Sequence, residues 1–147
     1  MHEERNSFTV GEEAELSKTI SKADIAAYAA LSGDTNPIHL DDVYARGTRF
    51  GGTVAHGMLV AGLISAVLGT SLPGPGAIYM GQQLRFLAPV FPETTVTARV
   101  RVTEYDSAKG RLTLLTEVID DNNVTVITGE AKLVMQSALK NRETTSP

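Results

Sequence analysis

Two residue types that exchange protons stand five positions apart in this chain, Asp34 and His39, in a stretch that also holds His56 and a Gly51-Gly52-Thr53 turn. A carboxylate and an imidazole that meet can hold one water between them, take its proton and later return one. The spacing brings them together only if the backbone bends. Five residues of helix advance about 500° and leave the side chains on different faces. An odd offset on a strand puts them on opposite faces. Asn36-Pro37 breaks both patterns, because proline fixes its own φ and pushes the preceding residue out of the helical region. The segment therefore reads as a structured turn that folds an acid and an imidazole toward one point. Taken singly, Asp34 fits an Asx-turn and His39 a hydrogen-bonded core histidine; which of the two would act as base stays open.

Gly57 supplies a second kind of chemistry. It opens an apolar run to Gly69, and the first turn of a helix presents unpaired N–H groups at a positive dipole end. Without a side chain, Gly57 lets a ligand oxygen approach its amide. Ala61, Gly62 and Ser65, beside Leu59 and Leu63, are small enough to shape a pocket. Metal chemistry is not expected: Asp34, His39 and His56 are the only nearby ligands, and they match no zinc spacing such as His-Glu-x-x-His.

The elements that position these residues read as helices first and strands after. Glu12–Ile20 suggests a first strand, following a polar, loose lead-in from Met1 to Gly11. Ser21 caps a helix with Asp24 in its first turn, and Gly33 ends it, delivering Asp34 off the helix end. Asp41 caps a short helix stopped by Gly47. Gly57–Gly69 is apolar nearly all round, which predicts a buried helix. From Ala77 the period changes to two: Ala77–Pro89, Thr94–Tyr105, Arg111–Asp120 and Val124–Gln136 read as four strands of an antiparallel meander. Ser137–Pro147 is polar and expected to fray. This order is α+β, and its simplest packing is a single hotdog domain over 1–147 with its core at about 12–136. In it, a curved antiparallel sheet wraps a buried central helix.

Composition narrows the function. At 147 residues one domain is expected, and 13 basic against 17 acidic residues without a basic run argue against a nucleic-acid binder. The absence of cysteine removes thiol catalysis, disulfides and cysteine-bound zinc. Neither a signal peptide nor an apolar run long enough to span a bilayer is evident, so a cytoplasmic protein without membrane contact is expected.

Gly33-Asp34-Thr35-Asn36-Pro37-Ile38-His39, followed by Val54-Ala55-His56-Gly57-Met58, resembles the MaoC-like (R)-specific enoyl-CoA hydratases. Ile78-Tyr79-Met80-Gly81 and Leu84 to Val90 extend the likeness, which covers about Ser21 to Met135. The resemblance implies a homodimer of hotdog domains that adds water to trans-2-enoyl-CoA, giving (R)-3-hydroxyacyl-CoA. It implies Asp34 and His39 as the catalytic pair and the Gly57 amide as the oxyanion hole, with no departure at these positions. Asn36, His56, Met58 and Arg85 are expected to border the substrate. No cofactor is implied, since coenzyme A enters as part of the acyl-CoA substrate. Its phosphates require local cations, for which Arg46, Arg49, Arg85 and Lys132 are candidates. A dehydratase acting on acyl-carrier-protein substrates would run the same chemistry backwards. Thioester hydrolysis fits less well, because the central helix holds no Asp or Glu, and a non-catalytic acyl-CoA-binding dimer leaves the Asp34/His39 pair unexplained.

Overall fold

A computed structural model describes residues 2–139. The element order is β1 (Glu13–Ile20), α1 (Lys22–Ser32), α2 (Pro37–Leu40), α3 (Asp42–Arg46), α4 (Gly57–Thr70), β2 (Ala77–Phe86), β3 (Thr94–Asp106), β4 (Arg111–Asp120) and β5 (Thr125–Met135). Alternation along the strands sends Val96, Ala98, Val100 and Val102 of β3, Leu112, Leu114 and Val118 of β4, and Ile127, Ala131 and Leu133 of β5 to one face. That face closes on Val60, Ile64, Val67 and Leu68 of α4, which makes the hotdog core. The opposite face is polar, with Arg99 bridging Glu15 at 3.0 Å and Glu117 at 3.5 Å across three strands. Among the described residues no helix is long and apolar enough to cross a membrane.

Ser21 and Asp24 form the expected capping box, and Gly33 ends α1 at φ 81°, a conformation open to glycine at little cost. Four expectations change. The lead-in is anchored rather than loose: Phe8 is buried edge-on against Tyr105, and the Gly11 amide donates to the Val102 carbonyl at 2.8 Å. Asn36-Pro37, expected only to bend a turn, also starts the short helix α2, because proline suits the first helical position and Asn36 Oδ1 accepts from the Ile38 amide.

The four long strands are not a meander. The sheet order is β1-β3-β4-β5-β2, so β2 pairs with β5 and never meets β3. Pro89 and Pro92 lie in the connection after β2, and proline cannot supply the ladder hydrogen bonds a hairpin needs. The chain from Leu87 to Glu93 instead crosses the sheet. Ala55 donates to the Val90 carbonyl at 2.8 Å, which ties this crossover to the segment leading into α4. Finally, α4 is not buried all round. Met58, Gly62, Ser65 and Gly69, spaced four, three and four apart, form an exposed stripe that the sheet does not cover. Of the tail expected to fray, 140–147 lies outside the described residues.

Candidate active site

The turn that follows α1 is built by its own polar groups. The Asp34 amide donates to Ser32 Oγ at 3.1 Å, and the Asn36 amide donates to Asp34 Oδ1 at 3.3 Å. This Asx-type closure holds the Asp34 carboxylate at the surface while α2 carries His39 back beneath it. His39 Nδ1 lies 2.7 Å from the Val54 carbonyl oxygen. A carbonyl can only accept, so Nδ1 carries the proton and Nε2 keeps the lone pair.

His56, next to the start of α4, is 2% exposed. Its Nε2 donates to the Asp34 carbonyl at 2.9 Å. Its ring stacks on His39 at 3.8 Å between centroids and 29° between planes, with Tyr28 against it at 4.7 Å. One carboxylate oxygen of Asp34 and one ring nitrogen of each histidine all lie within 4.8 Å of one another. Two hydrogen bonds to one water span that distance. The same three groups are the candidate ligands for a metal ion. One nitrogen of each ring is already engaged with a backbone carbonyl, His39 Nδ1 with Val54 and His56 Nε2 with Asp34.

These residues open on a cavity of about 430 Å³. Its lining takes Asp34 and His39 from the turn, Arg49 and Phe50 from the loop after α3, and His56, Gly57 and Met58 from the start of α4. Phe86, Ala88 and Val90 supply the wall from β2 and the crossover. No side chain caps α4, which leaves its first-turn amides facing this space. A Cβ on Gly57 would stand 2.6 Å from Phe86 Cε1, so glycine is what lets the ring and the helix end share the wall.

Of the residues expected at the site, Asp34, His39, His56, Gly57 and Met58 come together. Asn36 and Arg85 stand outside the lining: Asn36 caps α2, and Arg85 pairs opposite Thr128 on the polar sheet face. Among the cations, Arg46 Nε donates to its own helix at the Asp42 carbonyl, and Lys132 reaches Thr113 and Glu130. Arg49 alone of the four lines the cavity, its guanidinium 5.0 Å over the Phe50 ring. Tyr28, Phe86 and the Val54 carbonyl are parts to which the sequence reading gave no role at the site; only the two aromatics left any signal, as large apolar side chains.

Residues 6–124 match the family described as the MaoC like domain. The protein belongs to the MaoC-like domain family. An (R)-specific enoyl-CoA hydratase of Rhodospirillum rubrum is 52% identical over 125 residues, 85% of this chain and 86% of that protein. Its counterpart from Aeromonas caviae is 47% identical, covering 85% of this chain and 93% of its own. The solved (R)-hydratase from A. caviae involved in PHA biosynthesis superposes with a TM-score of 0.85 at 46% identity, over 88% of this chain and 98% of that one.

Proposed function

We propose that this protein is an (R)-specific enoyl-CoA hydratase that adds water reversibly to trans-2-enoyl-CoA, giving (R)-3-hydroxyacyl-CoA. The observation that carries the reading is the approach of the Asp34 carboxylate and a ring nitrogen of His39 to within 4.8 Å beside the uncapped start of α4. A water held by both loses a proton to the pair as its oxygen bonds to C3. The C2–C3 π electrons move toward the thioester, and the charge that develops on its oxygen meets the Gly57 amide. One such donor is typically worth about 3–4 kcal/mol in the transition state. The pair then returns a proton to C2, and the thioester carbonyl is restored. Because water and proton come from one pair of groups, both add to the same face of the double bond. The helix end supplies the polarisation, so neither metal nor cofactor is required and coenzyme A serves as the carrier.

Arg49 supports an anionic carrier, since it lines the cavity with no carboxylate partner among the described residues. We also read the working unit as a homodimer. The exposed stripe of α4 and the inner side of β2 enclose a groove of about 380 Å³, lined by Met58, Gly62, Tyr79, Met80 and Leu84. A second copy would cover that groove and the free edge of β2. A cytoplasmic location fits this substrate.

The test is loss of enoyl absorbance with crotonyl-CoA and its longer homologues, with chiral analysis of the product. The (R)-alcohol is expected, and Asp34→Ala or His39→Ala should each slow hydration by about 10²-fold or more. An (S) product, or near-normal turnover by either variant, overturns the reading. Faster turnover of enoyl thioesters on acyl carrier protein than on coenzyme A would make it a dehydratase of carrier-bound chains.

A further inference from the structure

Three parts of the site meet at one residue that the proposed chemistry leaves idle. His56 is joined by a peptide bond to Gly57, donates from Nε2 to the Asp34 carbonyl at 2.9 Å, and stacks on His39 at 3.8 Å. We infer that His56 is a positioning residue, which sets the Asp34 turn and the His39 ring in register with the amide end of α4. The inference rests on the hydratase reading of the site.

The argument turns on the second ring nitrogen. His56 Nδ1 is buried and has no hydrogen-bond partner among the described residues. If the site needed only a flat ring between Tyr28 and His39, phenylalanine would fill the space without stranding a buried acceptor. The histidine supplies one thing that phenylalanine lacks, the Nε2 donor. That donor ties α4 to a turn 22 residues earlier, where no backbone hydrogen bond from α4 reaches. The carbonyl it holds belongs to Asp34 itself, so a shift of the turn would move the carboxylate away from the water it shares with His39. His56 is too enclosed to bind much of a substrate, and its effect should therefore fall on turnover, not on affinity.

Two variants separate the donor from the ring. His56→Phe keeps the stack and loses the N–H, whereas His56→Gln places an amide N–H at the reach of Nε2 and loses the ring. In crotonyl-CoA hydration, His56→Phe should lower kcat by about tenfold or more with KM within about twofold, since small misplacements of reacting groups act on the chemical step. His56→Gln should recover most of that loss. His56→Asn, whose amide reaches only as far as Nδ1, should not; this comparison stands even if the phenylalanine variant fails to fold. Equal kcat in wild type and His56→Phe, or equal losses in the Gln and Asn variants, overturns the inference. Wild-type protein inert toward every enoyl thioester would instead remove the hydratase reading.

Discussion

With its Nδ1 hydrogen committed to the Val54 carbonyl, His39 has Nε2 left to accept, which is the nitrogen the proposed chemistry needs for a water shared with Asp34. The proposed oxyanion side depends on a different kind of precision, the bare Cα of Gly57 beneath Phe86. Gly57→Ala should lower kcat/KM by about 10²-fold, because the added methyl drives Phe86 across the cavity by an ångström or more. Phe86→Ala in the same chain should restore much of the loss, a coupling that steady-state kinetics of the four proteins would measure. No recovery in the double variant would show that the methyl blocks the amide directly. Asp34 and His39 could be named from the sequence because a proline-bent turn lies between them, Gly57 because it opens an apolar helix, and all three because the family motif runs through them. The Val54 carbonyl could not, since every residue carries one. Phe86 could be seen only as an aromatic, for its relation to Gly57 exists only once a strand has been laid against the helix.

The helices around the site are held by local contacts, and these were the most legible parts of the chain. Ser21 and Asp24 exchange hydrogen bonds at 3.0 Å in both directions, as a cap followed three residues later by a carboxylate should. Ser21→Ala should cost about 1 kcal/mol, read from urea denaturation. The Ser21 backbone N–H, then its side chain and Lys18, hold the Asp24 carboxyl below the usual carboxylate range. A depressed folded value contributes stability above the unfolded pKa and loses it as pH falls through the lower folded one. The melting difference between wild type and Asp24→Asn should thus be full at neutral pH and shrink on acidification; a constant gap would show that the carboxylate charge is not what caps the helix. Strand partners were harder to read than helix caps. A period of two says that Ala77–Phe86 is extended but not what lies beside it, and the prolines at 89 and 92 marked a break without revealing that the chain crosses the sheet there. The stripe on α4 escaped for a related reason: Met58, Gly62 and Ser65 are too small or too apolar to announce an exposed face.

At the scale of the molecule, the hotdog core is closed on the sheet side of α4 and open on the other. Met58 lines both the candidate-site cavity and the adjoining groove, so whatever covers the groove also bounds that cavity. Sedimentation should show a dimer, and Met80→Arg, which puts a charge in the exposed groove, should shift it toward monomer with loss of activity. A stable monomer with full activity would remove the second copy from the site. The pairing of β2 with β5 has a further effect, on how the protein is made. The acid, the imidazole and the helix all leave the ribosome well before the strand that must flank β2. Until that strand is out, β2 lacks its ladder and the Leu87 amide lacks the Val126 carbonyl it donates to, and the long loop between the two partners makes their meeting slow. A nascent chain therefore carries its reactive groups before it owns a chamber to use them in, and competence should arrive in one step, with the fifth strand.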